Sequence, residues 1–167
     1  MDFLELLKKR HSVRSYRPDK VEEEKLMKIL EAGRLAPTAA NKQAFKIVVI
    51  HTEGHEDELR RIYNRDWFVK APIILGICTI PEKAWVRSDG KNYGDVDVSI
   101  VMDHMILEAT ALGLGTCWIG AFDKQAAIEV LKLGANLEPV AFTPLGYARE
   151  QNFIKYRKDL DEIVIYR

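Results

Sequence analysis

The sequence predicts a single α+β domain, and three observations carry that reading. Apolar residues recur at helical spacing over 22–35 and again over 95–112. Short, largely apolar segments stand at 45–50, 73–80 and 139–145, punctuated by glycine or proline. No internal repeat, low-complexity tract or linker interrupts the 167 residues. A chain of that length suits one domain and buries roughly two-thirds of its unfolded surface.

Composition narrows the function classes. Twenty-five basic residues balance 25 acidic ones, which argues against a nucleic-acid module driven by bulk charge. A 47% hydrophobic content recurring throughout the chain excludes disorder. No run approaches the ~18 apolar residues of a membrane span. The opening residues lack a signal-peptide pattern. Cys78 and Cys117 lie inside apolar runs and read as buried free thiols, with no zinc or redox spacing. A cytoplasmic location is the expectation.

Taken in order, the elements justify themselves locally. Asp2 and Glu5 are spaced as a capping pair, Phe3, Leu6 and Leu7 share a face, and Lys8, Lys9 and Arg10 suit the negative end of the helix dipole. Residues 11–18 read as extended or looped, closing on Pro18. Over 22–35, Leu26, Ile29, Leu30 and Gly33 form one helical face, and Ala36-Pro37 ends it. Residues 38–43 are a polar loop of small side chains. A strand at 45–50, a short helix at 57–64 and a strand at 73–80 follow. Residues 82–94 show no period and read as a loop or lid.

Asp95 is expected to cap the longest helix, which ends near Leu112 with Gly113 as its C-cap. Val98, Val101, Met102, Met105, Ala109 and Leu112 trace one stripe, while Ile100, Ile106 and Leu107 lie off it. A helix apolar on more than one face is central in its domain or buried against a partner. A short strand at 116–119 follows. Asp123 caps a helix over 125–133 that Gly134 closes, and 139–145 is a strand. Residues 163–166 form a further strand-like run, which must complete its own sheet or add to a partner's.

Four segments bear chemistry. In Arg10-His11-Ser12-Val13-Arg14, alternate residues of an extended chain point the same way, so two guanidinium groups and a hydroxyl converge as a phosphate requires. An isolated pattern of this kind is also met as a solvated basic patch. In Pro37-Thr38-Ala39-Ala40-Asn41-Lys42-Gln43, small residues admit a ligand to the backbone, and Asn41 and Gln43 offer mixed donors and acceptors to a heterocycle. Gly113-Leu114-Gly115-Thr116-Cys117-Trp118-Ile119-Gly120 fails as a dinucleotide fingerprint, because it follows a helix and has Trp118 where the third glycine belongs. Its backbone is nevertheless open to a ligand. Lys155-Tyr156-Arg157-Lys158 adds cationic donors. His51 and His55 lack a further ligand set for a metal.

In this order the four segments resemble the FMN-dependent nitroreductase family, from Leu7 to the C-terminus. The first is similar to the family's R-x-S-x-R, the second to its A-P-S-x-x-N-x-Q loop, and residues 97–120 to its long central helix and flavin-edge turn. Pro144-Leu145-Gly146-Tyr147 and Arg157-Lys158 resemble its late strand and C-terminal basic pair.

The resemblance implies a largely antiparallel central sheet flanked by helices, in an intertwined homodimer with FMN at the subunit interface. It implies that Arg10, Ser12, Arg14 and Arg157 hold the phosphate and ribityl chain, with His11 in the same segment and Lys158 near. Pro37, Thr38, Ala39 and Asn41 would reach the flavin from the other subunit, and Gln43 would meet its pyrimidine edge. The backbone at Ile119 and Gly120 would lie against the isoalloxazine. NADH or NADPH would be the donor in a ping-pong cycle ending on a nitroaromatic, quinone or flavin acceptor. Reductive dehalogenation, flavin destruction and non-enzymatic flavin binding are alternatives on the same fold. An interaction module without flavin has no use for the arginine and Asn/Gln groups.

The family often continues N-x-Q-P-W, whereas Gln43 is followed here by Ala44-Phe45. A compact stretch at 85–94 implies a small or open substrate pocket, with Trp85, Arg87 and Tyr93 as lid residues.

Overall fold

The computed structural model describes residues 2–149 and 153–167. Four strands form one sheet: β1 (Phe45–His51), β2 (Ile73–Thr79), β3 (Gly115–Thr116) and β4 (Glu138–Gly146). Their order is β1-β2-β4-β3, and every neighbouring pair is antiparallel. The α+β class read from the sequence and the largely antiparallel sheet implied by the resemblance are therefore present.

Among the described residues there are seven helices: α1 (Phe3–Lys9), α2 (Glu23–Arg34), α3 (Glu56–Ile62), α4 (Asp66–Val69), α5 (Gly94–Ala111), α6 (Lys124–Val130) and α7 (Leu160–Ile163). Side chains of a strand alternate between faces, so the sheet feeds two cores. Ile73, Leu75 and Ile77 of β2, with Ala141 and Leu145 of β4, pack against α2 and α5. Ile74 and Phe142 turn the other way, onto Leu59 and Ile62 of α3, Phe68 and Val69 of α4, and Ala127 of α6. The stripe read on α5 is buried from Val98 to Ala109, and the off-stripe Ile106 is buried as well.

Several local expectations change. Asp2 makes no side-chain capping bond, and Glu5 instead pairs with Lys8 at 2.7 Å. Asp95 lies inside α5; the capping oxygen is Asn92 Oδ1, which accepts from the Gly94 N–H at 2.8 Å. Gly113 does end α5, at φ 79°. The Leu114 N–H reaches the Ala109 carbonyl and the Gly113 N–H that of Thr110, a Schellman arrangement. Asp123 caps α6 through the Ala126 N–H, as expected. That helix closes early, however, with Lys132 rather than Gly134 in the left-handed region. The strand at 116–119 is broken: β3 has two residues, and Ile119 bridges separately to Phe142. Helix α4 has four residues, too few for a periodic signal.

At the C-terminus the structure removes one of the two alternatives. Residues 163–166 add no strand to the chain's own sheet. Residues 160–163 form one helical turn, begun where Glu162 accepts from the Asp159 N–H at 3.2 Å. The Val164 N–H closes that turn on the Leu160 carbonyl at 2.9 Å, and the residues beyond it join no strand, with Ile165 and Tyr166 78% and 90% exposed. β propensity cannot make a strand without an open edge within reach.

Candidate functional site

Two segments distant in sequence build an electropositive cavity. Residues 11–18 run extended from the end of α1, held by a parallel bridge from Ser12 to Thr116 and an antiparallel one from Tyr16 to Ala148. The Val13 N–H donates to the Thr116 carbonyl and the Arg17 N–H to that of Tyr147, both at 2.8 Å. Val13 and Tyr16 face inward, and the Tyr16 hydroxyl donates to the Val13 carbonyl at 2.8 Å. Burial raises the pKa of that hydroxyl well above its ordinary value, with Cys117 adding to the rise and Arg14 opposing it. Arg10, Ser12 and Arg14 consequently share the outward side, as the period-two reading requires.

The cavity they line measures about 290 Å³ and includes His11. Its other wall is the C-terminal segment from Phe153 to Arg157. Lys155 joins the two walls, donating to the carbonyls of Leu7, Lys8 and Arg10, the last at 2.7 Å. An ammonium at a helix C-terminus satisfies orphan carbonyls and complements the dipole. The His11 ring stacks on Phe153, with centroids 3.8 Å apart and planes 10° from parallel. The Arg14 guanidinium lies 5.9 Å from the centre of the Trp67 ring.

No carboxylate lines the cavity among the described residues, whereas Arg10, Arg14, Lys155 and Arg157 do. Desolvation lowers the pKa of Lys155, and the positive charges of Arg10 and Arg157 lower it further. Converging unneutralised cations around a hydroxyl suit a phosphate. Lys158 is exposed and does not line the cavity. Nothing in the basic run of the sequence marks Lys155 as the residue that meets α1.

The second group is the connection from α2 to β1. Residues 39–41 form a single 3₁₀ turn, and Ala40, Asn41 and Gln43 sit at φ near 50°. Non-glycine residues in that region cost of order 1–3 kcal/mol each and persist where surroundings hold them. Here the Thr38 hydroxyl accepts from the Gln43 N–H at 3.0 Å, and the Gln43 side-chain amide donates to Asn41 Oδ1 at 3.1 Å. The Ala39 N–H donates to Oδ1 of Asp97 at 2.9 Å. Pro37, Thr38, Ala39, Asn41 and Gln43 are thus one unit, but none of them lines the arginine cavity of the same chain.

The third group is the turn after β3. Ile119 is buried in the core, and its N–H and C=O both pair with Phe142, at 2.8 and 3.0 Å. Its N–H is therefore spent on the sheet. Gly120 is exposed, and its N–H has no partner among the described residues. Trp118, 40% exposed, flanks it.

The stretch at 85–94 contains a small hairpin. Val86 bridges to Asn92, and the Tyr93 N–H donates to the Trp85 carbonyl. The Trp85 and Tyr93 rings meet edge to face at 5.0 Å. Arg87 grips Asp89 and donates to the Tyr93 hydroxyl at 2.7 Å. An aperiodic sequence hid this order, because cross-hairpin contacts leave no periodic trace.

Comparison with known proteins agrees with this architecture. The model described as the nitroreductase family matches residues 7–72 and 63–147. A crystal structure of a nitroreductase family protein from Clostridium difficile is 38% identical, superposes with a TM-score of 0.88, and the match covers 99% of this chain and 98% of that one. A nitroreductase family protein from Clostridium novyi is 32% identical at a TM-score of 0.83, over 97% and 91% of the two chains. A Thermus thermophilus protein described as an NADH dehydrogenase is 26% identical over 95% of this chain and 93% of its own length. Matched by that family model over most of its length, and more than 30% identical to two solved members across nearly the whole chain, the chain belongs to the nitroreductase family.

Proposed function

We propose that this protein is an FMN-dependent oxidoreductase that draws electrons from NADH or NADPH and delivers them to a small nitroaromatic, quinone or flavin acceptor. The observation that carries the reading is the cavity of about 290 Å³ where Arg10, Ser12, Arg14 and Arg157 converge with no described carboxylate among them. The residues fit the cofactor. Arg10, Arg14 and Arg157 would hold its phosphate by charge-assisted hydrogen bonds, and Ser12 would add a hydroxyl. The amides of Asn41 and Gln43 would serve the heterocycle, and the unpaired Gly120 N–H would donate on the turn side. FMN held there would supply hydride-level two-electron chemistry between the nicotinamide and the acceptor, in a ping-pong cycle.

The chain's own contribution is binding, orientation and electrostatics; no side chain is assigned as general acid or base. The hairpin, braced by Trp85, Arg87 and Tyr93, would form the lid of a small or open acceptor pocket. The donor agrees with the printed name of the Thermus relative. A homodimer with shared sites accounts for the separation of the Asn41–Gln43 unit from the arginine cavity. The exposed Ile163, Ile165 and Tyr166, and the exposed Phe3 and Leu4 of α1, support the same arrangement.

The test is the absorption spectrum of freshly purified protein, followed by anaerobic addition of each nucleotide. Bound flavin that bleaches with NADH or NADPH is the expected result. Combined R14A and R157A changes should weaken FMN binding more than tenfold, since one charge-assisted bond is worth about 1.5–3 kcal/mol. A protein that takes up no FMN overturns the reading, and unchanged affinity in the double variant removes these arginines from it.

A further inference from the structure

Asp97 is the charged residue that the site leaves unexplained. It stands in the first turn of α5, one position before the buried Val98, and is itself only 4% exposed. A buried carboxylate is costly unless its oxygens find donors. One of them does: Oδ1 accepts from the Ala39 N–H at 2.9 Å, across 58 positions of sequence. The other, Oδ2, is buried and has no partner among the described residues. The amino end of the 18-residue α5 favours negative charge at this place.

The partner is informative. Ala39 opens the 3₁₀ turn whose next residues, Ala40 and Asn41, and then Gln43, all take left-handed backbone angles. The other ties described for that turn come from within it: Thr38 to Gln43, and Gln43 to Asn41. Those bonds close the turn on itself without saying where it sits. The Asp97 bond joins it to the central helix. The Asp97 N–H in turn donates to the Tyr93 carbonyl at 2.9 Å, and Tyr93 is the last residue of the hairpin. Loop and helix therefore meet at this one side chain, while the hairpin joins the helix through the Asp97 backbone.

We infer that Asp97 is a positioning residue for the flavin-facing loop: through Oδ1 it pins Ala39 and so holds Asn41 and Gln43 in their left-handed presentation against the end of α5. The inference rests on the flavin reading given above. Asp97 touches neither cofactor nor substrate in this assignment. Its effect passes through the backbone at Ala39, and what matters is the hydrogen-bond acceptor at Oδ1.

The test compares D97A, which removes the acceptor, with D97N, which keeps an oxygen there. FMN affinity is titrated by flavin fluorescence, and amide hydrogen exchange over residues 36–44 is followed in flavin-free protein. Thermal melting checks that each variant is folded. D97A should bind FMN about tenfold more weakly and exchange faster over 36–44, while D97N stays within about threefold of the parent in both. D97A with parental affinity and exchange overturns the inference. D97N as impaired as D97A also overturns it, because the acceptor would then not be what counts. If D97A fails to fold, D97N decides alone: it must retain slow exchange and near-parental affinity, or the inference falls. If the parent protein itself takes up no FMN, the flavin reading fails, and with it the role given to the loop. If the parent binds and D97A binds equally, only Asp97 is misassigned.

Discussion

Cys78 shows how a single environment changes one group's chemistry. It lies in β2 and is 1% exposed, and desolvation pushes its thiol up to about 11 from an ordinary 9.0. Between those values the unfolded chain has lost the thiol proton while the folded chain retains it. The unfolded state then binds fewer protons, so stability falls as pH rises from about 9 towards 11, and Cys78 adds no pH dependence below that window. Comparing melting temperatures of the parent and C78A across pH 8 to 11 isolates this from other groups. A shallower alkaline decline in C78A is expected, and parallel declines would sink the assignment. The ion pairs contribute little by comparison. Arg34–Glu31, Arg61–Glu129 and Arg87–Asp89 all lie on the surface, where solvent and salt screen the attraction.

At the scale of elements, β3 decides where the arginine segment lies. A Cβ on Gly115 would fall 2.8 Å from Val13 Cγ2 and 2.9 Å from its Cβ. Val13 is buried, and a β-branched side chain has few alternative rotamers. G115A must therefore displace the backbone between Ser12 and Arg14. We expect a loss of about 1–3 kcal/mol of stability from overpacking, together with weaker FMN binding. G54A serves as the contrast. Gly54 has φ 80° and open space around it, so alanine there should lower stability by strain alone and leave FMN affinity unchanged. Denaturant unfolding and flavin titration of both variants make the comparison. Equal FMN affinity in G115A and the parent would mean that β3 does not set the cavity.

For the whole molecule, the sheet is covered on both faces but leaves other apolar surface uncovered. Phe3 and Leu4 of α1 and the tail beyond α7 are exposed although hydrophobic. The arginine cavity and the Asn41–Gln43 unit also remain separate within one chain. The proposed dimer, joining one protomer's loop to its partner's cavity, would resolve both features. Light scattering should give twice the chain's 19.1 kDa. On dilution, flavin should be released in step with dissociation, as mass action requires when each site needs two chains. A monomer that holds FMN stoichiometrically would rule out the shared site.

The amino-acid sequence by itself determined what depends on spacings of a few residues. The stripe from Val98 to Ala109 made α5 a buried helix, Gly113 ended it, Asp123 capped α6, and the alternation of Arg10, Ser12 and Arg14 placed three ligand-type groups on one side. Each of these is an interaction between near neighbours, so a local pattern carries it. The tertiary structure decided the rest, through contacts between residues far apart in the chain. It brought Lys155 to the end of α1, paired Ile119 with Phe142 and left Gly120 open, tied Ala39 to Asp97, and ordered the hairpin around Tyr93. It also denied residues 163–166 a strand in their own sheet, because backbone pairing needs a free edge within reach, and local β propensity does not encode where that edge lies.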